Sequence, residues 1–351
     1  MEHTTNTYQV TIKKLPASQV IITASVPAEE FDRTRSEAIK RIGKDVAIDG
    51  FRKGHVPEAI LSGKIGEAAI LEEMAEIAIA RAYPSILIAE KIDALGRPEV
   101  EITKIAPGNP LEFTLTTAVF PEITLPDYKK LAGKEASKKE EVVVDDAEVE
   151  KTITQIRKMR AEGQAQEAGV PFDEAAPLPE IDDEYIKTLG AFASVDELKA
   201  KLRENILTEK TRQARDKKRV AIMEAIVADS KIELPQIIID QELHRMQDEF
   251  AHEIERMGMT FESYANAVGK TPEDMQKEWL PDAEKRAKVQ LLTAKIAEVE
   301  KITPDAEKLE QEVSGLRANY PDANEDRIRD YLTMILTNDK VFEFLENQDA
   351  K

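Results

Sequence analysis

The sequence predicts an α+β N-terminal domain, built of strands packed with two helices and a basic loop, and an elongated all-α C-terminal domain. An extended linker joins the two. Three observations carry this reading. Strand-like runs of β-branched or alternating residues cluster before residue 120. Charged residues make up 33% of the chain and aromatics only 5%, a composition that leans towards long, solvated helices. Beyond residue 180, apolar residues recur at steps of three and four, with helix-start signals between the runs. The predicted divisions are 1–118, 119–179 and 180–351, in keeping with two or three domains for 351 residues.

In the first part, "YQVTI" and "SQVIITASV" read as strands joined by the turn "KKLPA". Pro27 opens a helix with Phe31, Arg35, Ala38 and Ile42 on one face, and Gly43 is expected to close it. A glycine-rich loop follows. A second helical stretch then carries Ile70, Met74, Ile77 and Arg81, with a kink or break expected at Pro84. "PEVEITKIA" and "LEFTLTTAVF" supply two more strands around the turn "PGNP". In the linker, "PEITLPDYKKLAGKEASKKEEVVV" shows little core-forming pattern and reads as extended. Asp145 or Asp146 caps one helix through about Ala161, and "EGQAQEAGVPFDEAAPLPE" reads as a short loop. In the third part, Ser194 and Glu197 have the capping-box spacing. Pro235 stands at a first helical position. Ile239, Leu243, Met246, Phe250, Ile254 and Met257 then keep the helical period until Gly258. Thr271 and Thr303 start two further helices, and a last one carries Ile328, Leu332, Ile335 and Leu336.

Composition narrows the function. Lys and Arg number 49 against 68 Asp and Glu, a net charge of −19. Contact with a polyanion must therefore be local, and DNA is not an expected partner. There is no cysteine, hence no disulfide scaffold or thiolate metal site. The N-terminus lacks the pattern of a secretory signal, and no apolar run is long enough to span a membrane, so the expected location is cytoplasmic, with no membrane contact. "GHVPEAILSGKI" has neither the spacing nor the Ser/Thr of a phosphate-cradling loop, and no Gly-x-Gly-x-x-Gly occurs. No serine, histidine and acid stand in a nucleophile context, so no catalytic residue and no cofactor are expected. His244, Asp248 and His252 share a helical face, but Glu242, Glu249, Glu253 and Glu255 around them favour a solvated face over a metal site.

Two features stand out. The helical part is rich in methionine, whose flexible side chain fits varied apolar partners; Met246, Met257, Met259 and the neighbouring Phe250 are the candidate residues for binding such partners. The competing reading is ordinary core filling. The second feature is an island from Phe31 to Lys64 with eight Lys/Arg against five Asp/Glu, +3 inside a chain of −19. At its centre lies "GFRKGHVP", residues 50–57. Gly50 and Gly54 permit a tight excursion, Pro57 fixes the start of the next helix, and Phe51 sits beside Arg52 and Lys53. An exposed aromatic next to two cations suits a polyanionic, partly apolar target.

"GFRKGHVP" closely resembles the ribosome-binding signature of bacterial trigger factors, Gly-Phe-Arg-Lys-Gly-x-Val-Pro. The element order of the first part, and "LPEIDDEYIKTLGAFASVDELKAKLRENI" at 178–206, resemble the same family, so the likeness covers nearly the whole chain. It implies that the first part is a ribosome-binding domain and the third a chaperone domain. It further implies that Phe51, Arg52 and Lys53 dock beside the polypeptide exit tunnel, on ribosomal protein and RNA, with Gly50, Gly54 and Pro57 shaping the tip. His55 takes a position often basic in the family, which leaves one permanent charge fewer. Partners implied are the ribosome, unfolded nascent chains and, weakly, a second copy of the chain. Family members usually carry an FKBP-like prolyl isomerase domain between linker helix and C-terminal domain. Here that gap is 19 residues with one aromatic, against roughly 100 for a domain of ordinary size. The expectation is therefore an ATP-independent chaperone without isomerase activity. The alternatives are an isomerase by family name only, or a helical holdase or adaptor that works away from the ribosome.

Overall fold

The structure is a computed structural model that describes residues 2–5, 8–45, 58–138, 141–174, 176–188 and 192–348. The strands are β1 (Glu2–Thr5), β2 (Tyr8–Leu15), β3 (Gln19–Val26), β4 (Ala94–Lys104) and β5 (Leu111–Val119). The N-terminal helices are α1 (Ala28–Arg33), α2 (Arg35–Asp45), α3 (Glu58–Ile65) and α4 (Glu67–Glu90). Then come α5 (Tyr128–Ala136), α6 (Asp146–Ala168), α7 (Asp183–Thr188) and α8 (Val195–Asp229). The chain ends with α9 (Gln236–Arg256), α10 (Phe261–Ala267), α11 (Pro272–Glu300), α12 (Ala306–Asn319) and α13 (Glu325–Glu346). Contacts group these elements into two compact units, Met1–Thr124 with Ser230–Lys295, and Leu125–Asp229 with Ile296–Lys351.

The first unit holds an antiparallel sheet in the order β1-β2-β3-β5-β4. Alternation decides its buried face: Val20, Ile22, Ala24 and Val26 on β3 lie in the core, as do Leu111, Phe113 and Leu115 on β5. Ile22 pairs with Leu115 and Ala24 with Phe113, so both strands present their apolar sets to the same side. Ile70, Met74, Ile77 and Ile86 of α4 fill that side, together with Phe31, Ala38 and Ile39. The single helix expected from Pro27 to Gly43 is two helices. Thr34 lies buried at the break, its hydroxyl donating to the Phe31 carbonyl (2.7 Å) and, at 3.3 Å, to the Met74 carbonyl of α4. Gly43 does not end the helix, which runs on to Asp45. Nor does Pro84 break α4. Ala82 and Ile86 on either side of it are fully buried, and packing outweighs the lost backbone bond.

The second segment of this unit joins the sheet through residues 230–237. Thr124 and Lys231 form an antiparallel bridge. The β2–β3 turn places Ala17 and Ser18 in the left-handed region, at φ 56° and 50°. The Ala17 N–H donates to the Glu233 carboxylate (3.0 Å) and the Ser18 hydroxyl to the Glu233 carbonyl (2.7 Å), which holds the costly turn. Gly96, at φ +73°, faces Ile237, and a Cβ there would run into Ile237 Cδ1. Gly96→Ala should therefore lower the unfolding free energy by about 1–3 kcal/mol, since strain and overpacking add. Ile237→Ala in the same background should recover part of that loss in denaturant titrations. Strictly additive effects of the two substitutions would show that the close approach is not what the glycine serves.

In the second unit, α5 corrects the expectation of an extended segment. Asp127 caps it by accepting the Lys130 N–H (3.2 Å), and Tyr128, Ala132 and Gly133 are buried. The Tyr128 hydroxyl donates to Glu300, which also pairs with Lys129 at 2.8 Å. Burial, and then the Glu300 carboxylate, push the Tyr128 phenol up to about 12. Asp145 is the cap of α6, in a capping box with Glu148. That helix runs to Ala168 and ends at Gly169 (φ +69°), seven residues beyond the expected Ala161. Arg157 donates to the Pro179 and Leu178 carbonyls (2.9 and 2.8 Å) and Arg160 to that of Glu180, which ties the following segment back onto α6. Ser194 caps α8 and Thr271 caps α11 as expected. At α12 the cap is Asp305, not Thr303. Pro235 is likewise the N-cap of α9, one residue ahead of the expected first helical position.

Candidate functional site

Gly50, Phe51, Arg52, Lys53, Gly54, His55 and Pro57 lie outside the described residues. Their flanks are described. α2 ends at Asp45 and α3 begins at Glu58, so two helices packed with α4 bracket residues 46–57. Most arginines around them are committed to ion pairs: Arg33 with Glu29 (2.5 Å), Arg35 with Glu67 (2.9 Å for the second contact), Arg41 with Glu73 (3.1 Å) and Arg81 with Glu37. Hydrogen bonding from Arg35 holds the Glu67 carboxyl below its ordinary range. These pairs are largely exposed and each contributes little to stability. Lys40, Lys44 and Lys64 are exposed and, among the described residues, pair with no carboxylate.

The four apolar candidates all fall on or beside α9, in the first unit, and differ in burial. Beneath them, Leu234, Ile239, Ala283, Ala287 and Leu291 form a small core, against which Met246 packs half-buried. Met246 is thus partly core. Phe250 is the hub of an aromatic cluster. Its ring meets Tyr264 and Trp279 edge-on at 5.3 Å and Phe261 at 6.1 Å. Such edge-to-face pairs add about 0.5–1.5 kcal/mol beyond area burial. Around this cluster lies a groove of about 490 Å³, lined by Met246, Phe250, Tyr264, Val268, Met275 and Trp279 with charged residues at its rim. Of the rim charges, Glu249 pairs with Arg286 (3.0 Å) and Lys270 with Glu278 (2.6 Å). Met257 and Met259 stand apart from the core, 61% and 39% exposed on either side of Gly258 (φ +79°) where α9 ends.

The acidic face around the histidines is not uniformly solvated. Glu242 is 4% exposed, held by Arg245 at 2.6 Å with Arg286 at 4.0 Å. His244 Nδ1 lies 2.7 Å from the Asp240 carbonyl, and His252 Nδ1 lies 3.4 Å from the Glu255 carboxylate. Among the described residues, no three His, Cys, Asp or Glu converge as metal ligands. Sequence reasoning missed Phe261, Tyr264 and Trp279. The signal was present: four of the chain's eighteen aromatics, the single Trp included, fall between residues 250 and 279.

Chemically, the groove offers apolar and aromatic contact with adjustable edges, and four of the charged residues that line it form two ion pairs. Among the described residues, no helix is long and apolar enough to cross a membrane. Family models agree with the sequence signature. One, for "Bacterial trigger factor protein (TF)", matches residues 8–156, and a second, for the "Bacterial trigger factor protein (TF) C-terminus", matches 194–350. Among curated relatives, the trigger factor of Halalkalibacterium halodurans is 26% identical over 389 aligned positions, covering 88% of this chain and 89% of its own. That of Streptococcus mutans is 26% identical, covering 86% and 88%. Because 88% of 351 residues is about 309, the first alignment leaves about 80 positions without a counterpart in this chain. A solved structure from work on "Promiscuous Substrate Recognition in Folding and Assembly Activities of the Trigger Factor Chaperone" superposes with a TM-score of 0.52. It shares 19% identity and covers 96% of this chain and 99% of its own, a likeness of fold.

Proposed function

The chain belongs to the bacterial trigger factor family, and we propose that it is an ATP-independent chaperone that docks at the polypeptide exit tunnel and shields nascent chains in the cytoplasm. The observation that carries the docking half is the octet "GFRKGHVP" at Gly50–Pro57, set in a locally basic stretch of an acidic protein. The shielding half is supported by the aromatic groove of α9–α11 and the exposed methionines at the C-terminal end of α9. Met adapts its shape to varied apolar surfaces at low strain. Burial of about 300 Å² of client surface at ~25 cal/mol/Å² yields several kcal/mol before association costs, which leaves modest affinity per site. Weak, multi-site binding lets folding of the client compete with its retention, so release requires no nucleotide. The strong negative charge elsewhere keeps the remainder of the protein off ribosomal RNA.

The full chain should suppress the aggregation of several unrelated unfolded proteins without nucleotide, and should co-sediment with ribosomes. Suppression without co-sedimentation would establish the alternative, a holdase that works away from the ribosome. Failure of both would overturn the proposal.

Prolyl isomerase activity is not part of this function. The two family matches leave 157–193 between them, a stretch of 37 residues. Part of it is helix α6 and part is the segment that Arg157 and Arg160 tie back. Lowering a barrier of ~20 kcal/mol requires a shaped apolar pocket, which needs more chain than that. At substoichiometric concentration the protein should leave the slow phase of a proline-limited refolding reaction unchanged. A concentration-dependent acceleration of that phase would show that the activity resides elsewhere in the chain.

A further inference from the structure

We propose that Lys40 and Lys44 of α2 and Lys64 of α3 form a second contact with the phosphate backbone of RNA, beside the Gly50–Pro57 octet and distinct from it. The inference rests on the ribosome-docking reading above and names a further part of the same interface. Its starting point is how the structure divides the basic island. Arg33, Arg35 and Arg41 each face a glutamate, Glu29, Glu67 and Glu73. Lys40, Lys44 and Lys64 are exposed and, among the described residues, have no carboxylate partner.

Their placement favours a common target with the octet. Ala38 and Ile39 are buried on α2 and Ile42 packs against the same core. At 100° per residue, Lys40 and Lys44 fall on the opposite side of the helix, one turn apart. Lys44 is two residues before the segment 46–57, Lys40 is six before it, and Lys64 is seven after it. At 1.5 Å of rise per residue, all three stand within about 10 Å, along their helix axes, of one end of that segment. Helices α2 and α3 also touch one another, so a polyanion lying across the helix ends that flank the segment lies within about a Debye length of all three lysines.

Side-chain chemistry favours RNA over an acidic protein surface. An ammonium on a flexible stem is a compact, hydrated point charge, suited to phosphate contact without sequence readout. No cation–π pair involves these lysines among the described residues, and the exposed face of α2 between them offers no aromatic anchor for a protein partner. Lys44 and Lys64 also sit in the last turns of their helices, where a cation stabilises the helix end. Lys40 does not, and so isolates the binding role.

The test compares ribosome affinity of the full chain, titrated from about 50 to 200 mM salt, for wild type and for Lys40→Gln/Lys44→Gln/Lys64→Gln. Each phosphate contact adds about 0.7–0.9 to the slope of log affinity against log salt, so the triple variant should be shallower by about 2. Its affinity at 50 mM salt should fall at least tenfold. Lys40→Gln alone should show about a third of the slope change at an unchanged melting temperature, and the triple Lys→Arg variant should bind like wild type. If wild type binds and the Gln variants match it in affinity and slope, the inference fails while the docking reading stands. An affinity loss with an unchanged slope would show that the lysines release no phosphate-bound counterions and would overturn the RNA assignment. No binding by wild type would overturn the docking reading itself.

Discussion

Replacing Phe51, Arg52 and Lys53 together by alanine should abolish co-sedimentation with ribosomes and leave the melting temperature within about 2 °C of wild type. The size of the binding effect follows from the chemistry removed. Two cations that contact phosphates each release counterions, and the wild-type complex should accordingly weaken as salt rises. Phe51, if it is buried in the partner, contributes about 1.5–3 kcal/mol of apolar transfer. With each 1.4 kcal/mol worth tenfold, the combined loss is about a hundredfold or more, enough to empty the ribosomal pellet at sub-micromolar protein.

The stability half of that expectation has a structural basis. Among the described residues, the core of the first unit runs from Phe31 and Ala38 through Met74 to Phe113 and Leu115, with large side chains that are fully buried. A variant that pellets with ribosomes as well as wild type does would sink the assignment of the octet. A variant that melts well below wild type would show that the three residues fold back on their own domain.

How much of this was legible in the sequence depended on how local the determinants were. The octet stood out because its chemistry is packed into eight consecutive residues. β3 and β5 were legible because strict alternation in "VIITASV" and "LEFTLTT" fixes one buried face. The helix α9 was legible from its steps of three and four. Where tertiary contacts decided the outcome, local rules failed. Gly43 read as a stop and Pro84 as a kink or break, yet burial in the core of the first unit carries both helices through them, α2 by packing on α4. α5 was hidden by its lysines and flanking prolines, because only Tyr128, Ala132 and Gly133 mark its buried side. Glu242 read as solvated, and the Arg245 and Arg286 that make its burial tolerable come from its own helix and from α11. The aromatic groove was the largest omission. Its rings come from three helices and meet only after the chain has turned at Gly258 and Gly269.

The groove supplies the second large effect. The candidate residues Met246, Met257, Met259 and Phe250 should separate into two classes when measured for both aggregation suppression and melting temperature. Met257→Ser with Met259→Ser should leave melting within about 2 °C, because both side chains are substantially exposed. The same pair should clearly reduce suppression for several unrelated clients, since it removes adaptable apolar surface at the exposed end of α9. Met246→Ser should instead cost about 2 kcal/mol, because that side chain packs half-buried against the small core that contains Leu234, Ile239 and Leu291. Phe250→Ala should do both: it removes three edge-to-face partners at once and opens the wall of the groove, costing about 2–4 kcal/mol. The weaker-folding variants are compared at a temperature where each remains folded, so that lost suppression is not lost structure. If Met257→Ser/Met259→Ser melts sharply lower, those methionines are core and the client surface lies elsewhere. If it melts normally and suppresses every client as well as wild type, the exposed end of α9 does not hold clients, and a loss confined to Phe250→Ala would restrict the binding surface to the aromatic groove itself.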